Sequence, residues 1–252
     1  MDPVDYERAA ARYDLRYTGG GPRGLAELVR TRCSEAGYRP VLDVGCGTGR
    51  WTSEAIAAGR RAVGLDPSTG MLARACARLP EAAFVRGRAE SLPFRSGQFS
   101  AVLCVYVIHH LDDPARFVSE AARVLDRGGT LCVAALAPHD GQDQWYLYDY
   151  FDGMREADLQ RYPRTGSIRD WMTAAGFTDA ETKLAARLEG TARGTAVLDD
   201  PILTRDGTCQ LSLLSDDEFE RGLARIREDA TRENPKSFGT DLRIFATTGR
   251  KA

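Results

Sequence analysis

The sequence predicts an α/β fold built on a doubly wound parallel sheet. Short apolar runs alternate with amphipathic segments from residue 23 to residue 137, which is the pattern of repeated strand–helix units. One run, Val41 to Val44, leads directly into the glycine-rich turn Gly45-Cys46-Gly47-Thr48-Gly49 and then into a helix. Another run, Ser100 to Ile108, is apolar almost throughout, as expected for a central strand that is covered on both faces.

The glycine turn indicates a nucleoside-binding site at the end of the first strand. A strand, a glycine turn and a helix start form the first half of a nucleotide-binding unit, in which the bare backbone lies against the ligand. Arg50 stands where a dinucleotide-binding turn has its third glycine, and the chain has no phosphate-binding loop. Asp43 is placed to receive an amine or a cation, and Asp66, which ends the next apolar run, to accept both hydroxyls of a ribose.

Four ordered motifs carry a resemblance to a known family. VLDVGCGTG, GLDPSTGMLARA, GRAESLPF and FSAVLCVYVIHHLDDPARFVSEAARVLDRGGTL together resemble class I S-adenosylmethionine-dependent methyltransferases over roughly residues 38 to 137. The chain is most similar to the small-molecule type, such as the enzymes of ubiquinone and menaquinone biosynthesis. The resemblance implies a Rossmann-like, seven-stranded sheet whose last strand is antiparallel, S-adenosylmethionine as cofactor and S-adenosylhomocysteine as product.

The resemblance also implies a set of cofactor contacts. The chain matches them at Tyr13, Asp43, Gly45, Gly47, Gly49, Asp66, Met71, Ala89, Glu90 and Val105. Related enzymes bind the adenine amine through an aspartate at the position of Arg88. Here either Glu90 or a backbone carbonyl is expected to accept that hydrogen bond, or the adenine is held more loosely. Met71 either packs on the adenosine or belongs to the core, and Glu90 has the alternative of a solvated loop carboxylate.

The segment before the predicted core, residues 1–22, is expected to hold a lid helix and a hinge. Residues 4 to 17 place aromatic side chains near helical spacing, and the glycines of residues 18 to 22 supply a joint. A hinged aromatic helix suits a lid that excludes water from the site, with Tyr13 over the cofactor by resemblance. The alternative is a helix that packs on the domain through its aromatic stripe.

Two insertions are predicted beyond the core of residues 23–137. Residues 138–166 cluster aromatic and charged side chains, which indicates a cap that lines an acceptor pocket or, alternatively, a satellite core under a surface helix. Residues 167–252 complete the core, with a second insertion at about 190–240 that contains a capping box opening at Ser215.

His109 and His110 are the candidate catalytic bases. They follow the central strand, where ligands of open α/β sheets bind, and an imidazole accepts a proton near neutral pH. Alternating strand geometry predicts that one faces the ligand and the other packs. Both could instead be structural, and His139, in the loop after the fifth strand, is a weaker candidate.

The composition limits the remaining possibilities. A formal net charge of −2 argues against a general nucleic-acid binder. Six cysteines without a C-x-x-C pair predict reduced thiols and no metal site, and the start lacks the apolar segment of a signal peptide. We therefore expect a cytoplasmic monomer or homodimer, with no membrane or nucleic-acid partner, that methylates an O, N or C atom of a small molecule. The alternatives are a cyclase-like or regulatory S-adenosylmethionine-binding protein, and a tRNA or protein methyltransferase.

Overall fold

One mixed sheet organises the part of the chain that the computed structural model describes, which comprises residues 6–9, 13–14 and 22–252. Its eight strands are β1 Val41–Val44, β2 Ala62–Asp66, β3 Ala83–Arg86, β4 Phe99–Val105, β5 Leu125–Leu136, β6 Gln144–Trp145, β7 Phe177–Arg193 and β8 Ser237–Lys251. The helices in this part are α1 Tyr6–Ala9, α2 Arg23–Glu35, α3 Arg50–Ala57, α4 Thr69–Arg78, α5 Pro114–Val124, α6 Tyr146–Tyr150, α7 Met154–Arg161, α8 Thr165–Ala174, α9 Cys209–Ser212 and α10 Asp216–Thr231.

The strand order confirms the predicted doubly wound sheet with an antiparallel last strand. The order is β3-β2-β1-β4-β5-β8, in which the first five strands are parallel to their neighbours. β8 is antiparallel to β5 on one side and to β7 on the other. The difference from the expected seven strands is β6, a two-residue strand that pairs with β8 beyond the end of β5.

The central strand β4 is buried on both faces, as its apolar sequence predicts. Val102 and Cys104 pack in a core with α5 and α8, whereas Leu103 and Val105 pack in a core with α2 and α3.

Helix-capping residues fix where the flanking helices begin. Ser68 accepts a hydrogen bond from the Met71 backbone at the start of α4, and the capping box predicted at Ser215 is present in α10.

Several element limits differ from those predicted. β4 ends at Val105 rather than Ile108, because Tyr106 has a positive φ of 59° and a 3₁₀ turn follows at Ile108–His110. β7 and β8 extend into the second predicted insertion at about 190–240, since they pair with one another as far as Arg193 and Ser237. Of the predicted lid helix, the structure shows Tyr6–Ala9 as α-helix and Tyr13–Asp14 as part of a 3₁₀ turn. The rest of residues 1–21 lies outside the described residues.

The two predicted insertions pack against one another and form a third core, here called the cap core. It contains Trp145, Tyr146, Leu147, Tyr150, Phe151, Met154, Val197, Leu203, Leu211, Phe219, Ile226, Ala230, Phe238 and Leu242. The aromatic side chains that the sequence clusters before residue 152 are therefore mostly buried among residues of α10 and β8. This is the arrangement of a satellite core, and the domain limits remain predictions.

None of the helices in the described ranges combines the length and apolar character that crossing a bilayer requires. All six cysteines are free thiols, with Cys33, Cys46, Cys104 and Cys132 buried.

Candidate active site

The glycine turn lies at the carboxyl end of β1, where its backbone needs conformations that disfavour other residues. Gly45, Gly47 and Gly49 have φ values of 69°, 52° and 82°. A Cβ atom at Gly45 would overlap with the side chain of Val107. A Cβ atom at Gly47 would lie 3.8 Å from Cε1 of Tyr13, so the Tyr13 ring lies over the turn.

Asp66 ties the turn to the end of β2. Its Oδ2 accepts a hydrogen bond of 2.9 Å from the Gly47 backbone N–H, and its Oδ1 accepts one of 2.9 Å from the Ser68 N–H. Burial raises the pKa of this carboxyl group. Each carboxylate oxygen has a second lone pair, so Asp66 keeps the capacity to accept two ribose hydroxyls while it holds the turn.

Asp43 has a buried oxygen with no partner among the described residues. The carboxyl group is fully buried, its Oδ2 accepts a hydrogen bond of 2.6 Å from Thr52 Oγ1, and its Oδ1 has no hydrogen-bond partner. Burial raises the pKa of Asp43 to about 7. A buried, unpaired carboxylate oxygen is costly, and an ammonium group of a ligand would satisfy it.

Two acidic residues of the N-terminal segment, Glu7 and Asp14, contact this end of the sheet. Glu7 accepts hydrogen bonds from the backbone N–H groups of Thr69 and Gly70, at 2.6 and 2.8 Å, which places its charge at the N-terminus of α4. The hydrogen bond from the Gly70 backbone, followed by the interaction with the Ser68 side chain, lowers the pKa of Glu7. Asp14 accepts a hydrogen bond of 2.6 Å from Thr48 Oγ1 in the glycine turn.

On the predicted adenine side, the carboxylate of Glu90 already has partners. Its Oε1 accepts a hydrogen bond of 3.0 Å from the Asp112 backbone, and its Oε2 lies 3.6 Å from Arg88 Nε. Arg88, which replaces the usual aspartate, is exposed and pairs with Asp112 at 2.6 Å. The contacts of Glu90 within the structure therefore hold this loop together.

Three other predicted cofactor residues are buried. Met71, Ala89 and Val105 have exposed fractions of 1%, 5% and 3%. The side chains of Ala89 and Val105 belong to the two cores that flank the sheet. A contact from either residue to a cofactor would therefore involve the backbone more than the side chain, and the contacts themselves remain predictions.

The two candidate histidines lie side by side, so the alternating strand geometry behind their prediction does not apply to them, and which of them faces the ligand remains a prediction. They fall in the 3₁₀ turn instead of on the strand, and their ring centroids are 4.0 Å apart. His110 Nε2 is 2.7 Å from the hydroxyl of Tyr6 in α1. His139 makes a separate contact, since its Nε2 lies 2.9 Å from the backbone carbonyl oxygen of Tyr162.

His109 is enclosed by residues of the two insertions. Its ring stacks on Tyr162 at 4.1 Å, and its Nε2 lies 3.3 Å from the Tyr162 hydroxyl and 3.7 Å from Cys209 Sγ. Its Nδ1 is buried with no hydrogen-bond partner in the described part of the chain. Burial, helped by the nearby charges of His110 and Arg161, lowers the pKa of His109 well below its usual value. The imidazole is therefore neutral at physiological pH.

Sequence reasoning did not find Tyr6, Arg161, Tyr162 or Cys209 as site residues. Cys209 stands alone in a polar stretch 100 residues after His109, and no spacing pattern connects them. Tyr6 and Tyr162 belong to segments that the sequence marks only as aromatic.

Comparisons with known proteins identify the family of this chain. Residues 42–133 match the family described as "Methyltransferase domain". Demethylmenaquinone methyltransferase of Beutenbergia cavernae is 33% identical over 193 residues, which cover 69% of this chain and 80% of that protein. The chain belongs to the class I S-adenosylmethionine-dependent methyltransferases. Its cofactor is S-adenosylmethionine, and the unpaired Asp43 oxygen and the open lone pairs of Asp66 fit the charged amino-acid and ribose groups of that molecule.

Solved structures show the same fold at lower sequence identity. The YcgJ protein of Bacillus subtilis has a TM-score of 0.64 at 20% identity, and the match covers 91% of this methyltransferase and 98% of that chain. The cyclase SpnF has a TM-score of 0.55 at 19% identity, with 90% and 80% covered. The fold is thus shared with a protein named for a different reaction.

Proposed function

We propose that this methyltransferase transfers a methyl group to an O, N or C atom of a small molecule, of which a secondary metabolite is one kind. The observation that carries the proposal is the enclosure of the acceptor side. Beyond the end of β4, side chains from three separate segments surround His109 and His110, namely Tyr6, Tyr162 and Cys209. A site walled by aromatic and polar side chains from several segments suits a small acceptor.

Two further observations support a small acceptor. With a net charge of −2, the chain lacks the excess of basic residues that RNA or DNA binding requires. The relative from Beutenbergia cavernae is named for demethylmenaquinone, which is itself a small molecule. A hydroquinone, a phenol or an amine of similar size is the acceptor class that we propose.

The residues of the chain contribute positioning, exclusion of water and proton transfer. Bound S-adenosylmethionine supplies an electrophilic methyl group. The glycine turn, Asp43 and Asp66 hold the donor side, and the contacts of Glu7 and Asp14 hold the N-terminal segment over it. Fixing two reactants in line contributes up to roughly 7–11 kcal/mol, which is more than proton transfer adds.

Of the two histidines, His110 is the better candidate base. The low pKa of His109 makes its protonated form unfavourable, so it holds a transferred proton poorly. His110 is only partly buried, and its Nε2 bonds to the Tyr6 hydroxyl, which offers a path for a proton. General base catalysis of this kind contributes about 10²–10⁴-fold.

Measurement of S-adenosylhomocysteine release tests the proposal. The purified protein is incubated with S-adenosylmethionine and, separately, with hydroquinones, phenols, primary amines and bulk tRNA. We expect release that depends on one of the small-molecule classes. Release that depends on tRNA alone would overturn the small-molecule assignment.

A second candidate function is S-adenosylmethionine binding without methyl transfer, as in a cyclase-like or regulatory protein. The shared fold of SpnF favours it. Calorimetry that detects S-adenosylhomocysteine binding, together with an absence of release on the whole acceptor panel, would support this function over the first.

A further inference from the structure

Three side chains that commonly bind metals converge beyond the carboxyl end of β4. One ligand atom from each of His109, His110 and Cys209 lies within 4.8 Å of the other two. The two histidines come from the 3₁₀ turn after β4, and Cys209 is the first residue of α9 in the second insertion. Tertiary packing alone brings the sulfur to the imidazoles.

The spacing of these atoms fits a tetrahedral zinc ion. Zinc–sulfur and zinc–nitrogen bonds of about 2.3 and 2.0–2.1 Å, at a tetrahedral angle, separate a sulfur from a nitrogen ligand by about 3.6 Å. The distance from Cys209 Sγ to His109 Nε2 is 3.7 Å. An ion that bridges them needs almost no movement of this pair.

The surroundings also favour a thiolate-bound ion. Arg161 Nη2 lies 3.9 Å from Cys209 Sγ, so a positive donor is positioned beside the sulfur, which must lose its proton to bind a metal. Arg161 is held by Asp158 at 2.7 Å, and Asp158 also accepts hydrogen bonds from Tyr148 and Gln210. Such outer contacts keep the side chains near a metal in place.

We propose that His109, His110 and Cys209 bind one zinc ion, or another divalent ion that also prefers nitrogen and sulfur ligands. Two imidazoles and one thiolate suit zinc better than the oxygen-preferring magnesium or calcium. Three protein ligands leave a fourth position for water or for a heteroatom of an acceptor, as in catalytic rather than structural zinc sites. Zinc on His109 Nε2 places the ring proton on Nδ1, which has no partner among the described residues.

Zinc binding and base catalysis exclude each other at one imidazole nitrogen, because a nitrogen bonded to zinc cannot accept a proton. The base role proposed for His110 therefore applies to the protein without zinc. The site does not depend on methyl transfer, so zinc binding and the proposed function can each fail without the other.

Cobalt titration of the full chain tests the site. The protein is reduced, freed of metal with a chelator and titrated with Co²⁺, which occupies zinc sites and reports a cysteine ligand through thiolate-to-metal absorption. We expect one equivalent to produce this absorption together with the intense visible bands of four-coordinate cobalt, and added Zn²⁺ to abolish both. Absence of the thiolate absorption in the unaltered protein would overturn the proposal.

Two cysteine variants identify the ligand. Cys209→Ser should remove the thiolate absorption and weaken zinc binding by at least about 100-fold, which exceeds the usual effect of losing an outer contact. Cys76→Ser alters an exposed cysteine outside the cluster and should leave both unchanged. Retention of the absorption in Cys209→Ser, or its loss in Cys76→Ser, would contradict the assignment.

His110→Gln provides an independent test that does not alter the cysteine. This partly exposed residue should be replaceable without unfolding, as S-adenosylhomocysteine binding by calorimetry would verify. We expect zinc binding to weaken by at least about 100-fold. Unchanged zinc affinity in a variant that still binds S-adenosylhomocysteine would remove His110 from the site.

Discussion

The proposed donor side and the proposed acceptor side of the site are built in different ways. On the donor side, backbone N–H groups donate to carboxylates, as when the Gly47 N–H meets Asp66 across 19 residues. On the acceptor side, side chains meet from distant segments, as when His109 meets Cys209 across 100 residues. The donor side therefore depends on a short glycine motif, in which few substitutions keep the backbone conformation. The acceptor side depends on how the two insertions pack, so its side chains can vary with the acceptor.

The histidines test the acceptor side, where we expect the largest effect. His110→Ala should lower turnover by about 10²–10⁴-fold through loss of proton transfer, while S-adenosylhomocysteine affinity changes little. His109→Ala should also lower turnover more than affinity, because its ring supports the same pocket. His139→Ala is the comparison, since this weaker candidate contacts the Tyr162 backbone carbonyl oxygen, and a smaller effect is expected there. Full turnover in both the His109 and His110 variants would contradict a catalytic role for either residue.

A pair of glycine variants tests the donor side. Gly45→Ala places a methyl group against Val107 at a φ of 69°, so left-handed strain of about 1–2 kcal/mol and overpacking of about 1–3 kcal/mol should add. Gly59→Ala has a similar φ of 75° but open space around the new atom, and should cost the strain alone. Urea unfolding measures both variants. Equal losses would show that the close approach to Val107 is unimportant.

Asp66 tests whether a single side chain both holds the turn and binds ribose. Asp66→Ala should weaken S-adenosylhomocysteine binding by about 1–3 kcal/mol, the range for hydrogen bonds to a charged group. Calorimetric titration provides the affinity. Glu90→Gln is the comparison, since Glu90 already has loop partners, and a smaller effect is expected there. Unchanged affinity in the Asp66 variant would refute the ribose assignment.

The raised pKa of Asp43 predicts that the affinity for the cofactor product depends on pH. Because its pKa is raised to about 7, the free protein carries a proton there at lower pH, and a bound ammonium group would favour its release. The affinity for S-adenosylhomocysteine should therefore rise by close to tenfold per pH unit from about pH 5 to about pH 7.

The same raised pKa has an opposite consequence for stability. Without ligand, the Asp43 contribution favours folding at low pH and is lost as the pH rises from the unfolded value of 3.8 towards about 7. Asp43→Asn should flatten both dependences, as calorimetry and urea unfolding at several pH values would show. An affinity that does not change with pH in the unaltered protein would count against an ammonium contact at Asp43.

The smallest effect is expected in the cap core. The Tyr150 hydroxyl donates a hydrogen bond of 2.7 Å to Asp229, which also has Arg232 and Lys236 as partners. Tyr150→Phe should therefore lower the free energy of unfolding by only about 1 kcal/mol. Tyr38→Phe changes a side chain that is 83% exposed and should have no effect. A loss of several kcal/mol in Tyr150→Phe would show that the cap core is as intolerant of substitution as the glycine turn.

Local patterns were sufficient to predict most of the fold. The starts of α4 and α10 follow from the capping residues Ser68 and Ser215, whose hydrogen bonds reach only three residues along the chain. β4 was recognisable because a strand buried on both faces has no polar alternation. Its end at Val105 was not predicted, since the positive φ of Tyr106 has no signature in an apolar run.

By itself, the sequence determined the α/β class, the doubly wound parallel sheet, the glycine turn and the two carboxylates beside it, because these depend on periodicity and on contacts between nearby residues. Only the tertiary structure decided that His109 and His110 lie together, that Tyr6 and Cys209 reach them, and that the aromatic residues of the insertions form their own core. The physical reason is that side-chain contacts across 100 residues arise from packing, and packing leaves no regular spacing in the chain.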